Sequence, residues 1–417
     1  MIFLRRTKFL PAIFLVLLIE FGCGGGYQPP SGGQPQPAHF AYVLNNNPIG
    51  SSASSTIRVS DDSIVRTESA GIGSVSEVIS GDNAGELFIA NSGDDSVTEY
   101  SLVTTPNPVK INLPMGARPV ALASTTSSRV FTVNSGTTAG CPAVGSVSAI
   151  DTAALAVVST TCVGQAHFGM PSAIAQLPNG GKLYVIDGTA SISVLDPSGS
   201  TVLSTIGPDI VSPWSPNAIT SSLDGSYLFV LDTTRLGGRP HYGGVWIITT
   251  SNDMVASLVG GGGYPDFSVL DTHLNRLYVT DKSSNTVSVF DASNVNVAND
   301  PPMPTLATVN VGSGPVGVTA LPDGTKFYVA NGGSNDVTVV DASSFEVLTT
   351  VTVGQGPAFI QSEPTSSKVY VADRGSSDLA IIGTSDDTIS AMINSPPQDP
   401  TCTSGCPLQL PVMIITH

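Results

Sequence analysis

The chain has 417 residues, of which 12% are charged, and its net charge is −16. Such a surface repels phosphate backbones and anionic headgroups, which excludes nucleic acid as a natural partner. Only 6% of residues are aromatic, 43 are Gly and 31 are Pro, and short apolar runs alternate with turn residues, a pattern that predicts an all-β fold.

At the N-terminus, Arg5, Arg6 and Lys8 precede an apolar run of 11 residues from Phe9 to Ile19. A membrane-spanning helix needs roughly 20, so a basic stretch before this short run reads as an export signal over residues 1–22. Gly22-Cys23 follows and resembles the cleavage and lipidation site of bacterial lipoproteins, although Glu20 stands where that site favours Leu. The resemblance implies acylation of Cys23 and a lipid-anchored protein of the cell envelope, in the periplasm or at the surface; ordinary signal cleavage is the alternative. Residues 23–38 form a Gly/Pro/Gln tether without the apolar content to fold. Losing residues 1–22 removes three basic groups and one acid, which moves the net charge from −16 to −18. Membrane contact is then expected through the lipid alone.

From residue 39 to 417 one unit recurs. "KFYVAN" ends at Asn331, "KLYVID" at Asp187, "YLFVLD" at Asp232, "RLYVTD" at Asp281 and "KVYVAD" at Asp373, with weaker copies ending at Asn45, Asn91 and Asn134. The spacing of 42–53 residues is that of propeller blades. A full unit holds four strand candidates, here named a to d from the axis outward: 315–322, 326–331, 336–341 and 347–354 in one copy. Consecutive apolar residues in "LYVID" and "FYVAN" suit blades buried on both faces. Closing them into a ring leaves only short edges.

The motifs "YVAN", "YVTD", "VSVFD" and "VTVGQGP" make residues 39–417 resemble the YVTN family of bacterial β-propellers. The resemblance implies architecture and leaves the activity open, because propellers host unrelated functions. "HFAYVLN" enters as a strand b with no strand a before it, and "LPVMIIT" (410–416) has the texture of a strand a. The first blade is therefore expected to be completed by the C-terminus, giving eight blades; seven would require the first copy to be a false match.

Asp151, Asp196, Asp291 and Asp341 end strands c and are expected to cap the c–d turns. "NSGDDS", "NGGSND" and "DRGSSD" lack EF-hand spacing and read as tight b–c turns, so no metal is expected. No CxxCH is present, and no cofactor is expected. With Cys23 set aside, four cysteines remain, and Cys141–Cys162 and Cys402–Cys406 are the expected disulfides.

The b–c loops and d–a links share one face of a propeller. The long ones fall in blades 3 to 6 and collect His167, Phe168, Trp214, Arg235, Arg239, His241, Tyr242 and Tyr264. These residues form either a binding patch or an aromatic plug over the loop bases. The arginines favour an anionic or saccharide ligand, or an anionic group on a protein partner. A monomeric binding or scaffold module is the leading expectation. The rivals are an enzyme similar to the propeller lactonases, for which His167 and His241 supply acid–base groups without a Glu beside them, and a purely structural envelope protein.

Overall fold

The computed structural model describes residues 39–46, 51–79, 85–102, 108–124, 128–142, 144–164, 170–188, 191–207, 215–233, 243–260, 263–299, 301–394 and 410–416. The described residues form eight four-stranded antiparallel sheets, an eight-bladed β-propeller. Strands a of successive blades touch in a closed circle about the axis, the last meeting the first. Blade 7 shows the pattern: a is Pro315–Ala320, b Lys326–Asn331, c Asp336–Asp341 and d Val347–Thr352.

The first copy is a true blade. Its strand b (Phe40–Asn46) pairs with c (Ser51–Arg58), which pairs with d (Ile64–Ile72), and its strand a is Leu410–Thr416. Ala41 lies opposite Thr416 and Asn46 opposite Leu410, so the first and last described strands share one sheet. The seven-bladed alternative is thereby set aside.

Each blade lays one aromatic on the next from the same place in strand b: Tyr42, Phe88, Phe131, Tyr184, Phe229, Tyr278, Tyr328 and Tyr370, none more than 3% exposed. The apolar clusters of the core run along the seams between blades, not inside them. This is why strand b is apolar at consecutive positions: its two faces serve two different seams.

Some seams carry a charged latch. Lys326 donates to both carboxylate oxygens of Asp387 (2.9 and 2.8 Å) in the c–d turn of blade 8, and the Tyr328 hydroxyl donates to the same group (2.5 Å). Lys182, Tyr184 and Asp253 repeat the arrangement between blades 4 and 5. Lys368 reaches Asp62 at 2.6 Å, joining blade 8 to blade 1. Burial, followed by the adjacent carboxylate, holds the Tyr184 and Tyr328 phenols protonated well above their ordinary value.

The c–d turns are capped as expected. Asp341 accepts from the amides of Ser343 and Ser344, both at 2.8 Å. Asp151, Asp196 and Asp291 accept in the same way from Ala153 and Ala154, from Ser198, Ser200 and Thr201, and from Ser293. Cys141, in the b–c loop of blade 3, is bonded to Cys162 at the end of that blade's strand d, tying the loop to its outer edge. Cys23, Cys402 and Cys406 lie outside the described residues.

Candidate functional site

The most repeated polar residue of the chain is part of the scaffold. The Asn or Asp that ends strand b is at most 2% exposed in all eight blades. Asn134 Nδ2 donates to Ser146 Oγ (3.1 Å) and Ser148 Oγ (2.9 Å) on strand c. Asp187 accepts from Ser191 (2.7 Å) and Ser193 (3.0 Å) at the matching positions. In blade 5 the indole Nε1 of Trp246 replaces the hydroxyls and donates to Asp232 at 2.8 Å. A buried amide or carboxylate with such partners fixes the strand end and is closed to ligands.

The Gly-rich turns on the same face are also accounted for. Asn285 caps the Gly314 amide and Asn335 the Gly356 amide, both at 2.8 Å, each binding the link that leads into the next blade. Asp95 does the same for Gly116 (2.6 Å) and Arg118 (2.8 Å). Asp95, Asn285 and Asn335 all have positive φ, which Asp and Asn tolerate better than most residues. "NGGSND" and its relatives therefore stitch blade to blade.

The repeat breaks at the mouth of the ring on this loop face. In most blades strand a opens with a β-bulge, placing one extra residue after the opening residue. Bulges of this kind re-aim side chains and often border sites. The extra residue is Val75, Val120, Val316 or Ala358 in blades 2, 3, 7 and 8, and by register Val412 in blade 1. In three consecutive blades, 4 to 6, the corresponding residues are Ser172, Asn217 and Asp266. Ser172 is exposed, and Asn217 and Asp266 are half-buried.

Neighbouring blades brace this polar arc. Asn217 Nδ2 donates to the carbonyls of Pro265 (3.2 Å) and Asp266 (3.4 Å), and Thr220 and Ser268 share a hydrogen bond of 3.2 Å below them. The Tyr264 amide donates to Asp281 (3.2 Å), and the Lys282 amide to the Tyr264 carbonyl. Burial raises the Asp266 carboxyl above its ordinary value, and the Lys282 charge pulls it back. Asn217 Oδ1 has no hydrogen-bond partner among the described residues. That oxygen is itself buried, so the arc offers a carboxyl and a hydroxyl, with Lys282 nearby. That combination suits hydrogen bonding to a polar ligand.

Of the residues expected on this face from sequence, Tyr264 lies in the arc. His167, Phe168, Trp214, Arg235, Arg239, His241 and Tyr242 lie outside the described residues. Their loops spring from the blades that bear the arc. Sequence reasoning missed Ser172, Asn217 and Asp266, although aligning the residue after each opening proline would have exposed them.

No family model and no curated protein matches the chain. Solved structures do. The chain is similar to AztD from Citrobacter koseri at 13% identity, covering 91% of this chain and 98% of that one with a TM-score of 0.60. It is similar to the dihydro-heme d1 dehydrogenase NirN at 12% identity, with coverages of 87% and 74% and a TM-score of 0.65. A putative 6-phosphogluconolactonase from Bacteroides fragilis matches at 15% identity, with coverages of 78% and 99% and a TM-score of 0.54. At these identities the likeness establishes the propeller fold and nothing finer.

Proposed function

We propose that the chain is a YVTN-type binding or scaffold module, exported and lipid-anchored through Cys23, that engages its partner with the loop face of blades 3 to 6. The observation that carries this reading is the break in the repeat: the mouth positions turn from Val and Ala to Ser172, Asn217 and Asp266 in the sector that also bears the long loops. Repetition serves the ring, so coincident departures from it in one sector mark a surface shaped for something else. A hydrolase on this face would have to draw on His167 or His241, because the described histidines lie elsewhere. His39 precedes strand b of blade 1 and His273 sits in an a–b turn, both at the opposite end of the ring.

The test is paired capture from cell-envelope extracts with the parent protein and with Asn217→Ala/Asp266→Ala. A partner retained by the parent and lost from the variant is the expected result. A partner that binds both equally moves the site elsewhere, and turnover of lactones by the parent but not the variant would replace the binding reading with an enzymatic one. Intact-mass measurement showing an unacylated Cys23, or cleavage at another position, would remove the anchor.

A further inference from the structure

Blades 7 and 8 build the same turn from almost the same residues. In blade 7, strand b ends on Asn331, whose Nδ2 donates to Asp336 Oδ1 (2.7 Å) and Thr338 Oγ1 (2.9 Å). The link before the blade passes so close that a Cβ on Gly312 would lie 2.5 Å from Asp336 Oδ1 and 2.6 Å from Asn331 Nδ2. In blade 8, Asp373 stands for Asn331, Asp378 for Asp336 and Ala380 for Thr338. The close packing is retained: a Cβ on Gly354 would lie 2.2 Å from Asp378 Oδ1 and 2.7 Å from Asp373 Cβ. The Gly354 amide donates to Asp373 Oδ2 (2.9 Å), the Gln355 amide to Ser376 Oγ (2.7 Å), and Ser376 Oγ to Asp378 Oδ1 (3.0 Å). What has gone is the amide N–H. A carboxyl oxygen now faces a carboxyl, with Asp373 at 0% and Asp378 at 8% exposure.

Two carboxylates in hydrogen-bond contact away from water do not both ionise. Asp373 and Asp378 stand directly opposite each other across strands b and c, as Asn331 and Asp336 do in blade 7 where an amide hydrogen bond joins them, and Asp373 Oδ1 is buried with no other hydrogen-bond partner among the described residues. We propose that Asp373 keeps its proton through neutral pH and donates it to Asp378, which makes the b–c turn of blade 8 an alkaline-sensitive latch on the link between blades 7 and 8. When that proton leaves, the carboxylates repel. The segment Val353–Gly356, held by Asp373, Ser376 and the Asn335 cap on Gly356, loses its inner anchor.

The surroundings supply the charge balance. Across the turn stands Asp378. Arg374, next in the chain, has an exposed side chain, and the link itself is Val353, Gly354, Gln355 and Gly356. Blade 7 contributes neutral Asn335, while its Asp336 is engaged by Asn331. Burial pushes the Asp373 carboxyl up to about 8, against the pull of the Gly354 amide and with Asp378 adding to the rise.

Carboxyl-carbon NMR across pH 4–10, with amide-exchange protection at Gly354, Gln355 and Gly356, tests the proposal. Asp373 should be protonated at pH 7 and titrate near 8, and protection in the link should fall about tenfold per unit beyond that point. The matching link at Gly312–Gly314 should not change, and Asp373→Asn should make both links behave alike. In Asp378→Asn, the new amide should donate to an ionised Asp373 and bring its titration down into the ordinary carboxylate range. An Asp373 already ionised at pH 6 in the parent, equal pH dependence of the two links, or an unmoved Asp373 titration in Asp378→Asn would each overturn it.

Discussion

At the seam between blades 7 and 8, Tyr328 lies against Asp387 with Lys326 beside it. Between blades 5 and 6, Phe229 holds the tyrosine's position, Tyr227 the lysine's, and the neighbour it meets is Met303. Phe88 packs with Leu155 at the seam of blades 2 and 3, and Phe131 covers Gly199 at the seam of blades 3 and 4. Between blades 6 and 7 the solution is mixed: the Arg276 guanidinium lies 5.2 Å from the centre of the Phe345 ring and also bonds the Ala342 carbonyl. Among the described residues the acid occurs only opposite a Lys and a Tyr, whereas Arg276 with Tyr278, and Arg129 with Phe131, occur without it. One slot in the fold therefore accepts either chemistry, provided that an acid, where present, meets its cation, because a lone buried charge costs more than the matched pair returns.

Truncation should hurt most at an apolar seam. Phe229→Ala removes a fully buried ring and is expected to cost about 3–5 kcal/mol, read by thermal or denaturant unfolding. At a latched seam, Asp387→Ala leaves the Tyr328 hydroxyl without its acceptor and Lys326 with only the Thr384 carbonyl, and is expected to cost about 2–4 kcal/mol. The exchange Lys326→Met/Tyr328→Phe/Asp387→Leu should return to within about 1.5 kcal/mol of the parent, since Leu155 already occupies this positive-φ position in blade 3. A triple variant no better than Asp387→Ala would refute the interchangeability of the seams.

These pairings also mark what the sequence could convey. The copies of strand b, the turn-capping aspartates and the closing strand at 410–416 were readable because each signal is local and recurs. The latch was not, because Lys326 and Asp387 are 61 residues apart and neither is unusual alone. Ser172, Asn217 and Asp266 escaped for a related reason: each is an ordinary residue, informative only once the bulge shows that they share a position. The long loops stood out by length, which indicated the sector without the geometry within it.

The seam between blades 1 and 2 departs from both chemistries. Glu77, on strand a of blade 2, is buried, and that burial pushes its carboxyl up to about 8 against a downward pull from Ser54 of blade 1. Tyr42 of blade 1 feels both Glu77 and Arg66, and Arg66 is paired to Glu68 at 2.6 Å. Protons bound by the native state and not by the unfolded chain favour folding at low pH. This contribution is full below about pH 4.5, falls by at most about 1.4 kcal/mol per unit as pH rises towards 8, and is constant above. Glu77→Gln should flatten that part of the stability–pH curve and leave the latched seams unaffected. An unchanged slope would mean that Glu77 is ionised in the folded ring.

The smallest effect belongs to a turn that serves a seam indirectly. Phe345, at a φ of 61°, meets Arg276 only because the c–d turn of blade 7 holds it there, and Asp341 caps that turn. The Ser343 hydroxyl, with the amides of Ser344 and Ser343, draws the exposed Asp341 carboxyl down to about 2. A depressed carboxyl stabilises the fold above its unfolded value near 3.8 and loses that contribution as pH falls through 2, the opposite sense to Glu77. Asp341→Asn keeps an acceptor oxygen but cannot titrate. Its melting temperature should stay close to the parent's at neutral pH, and it should lose less stability than the parent between pH 4 and 2. Asp341→Ala removes the acceptor altogether and should loosen Phe345, seen as faster amide exchange at Ser343 and Ser344. If Asn and Ala behave alike at neutral pH, the cap contributes nothing to the seam, and Arg276 alone holds Phe345 in place.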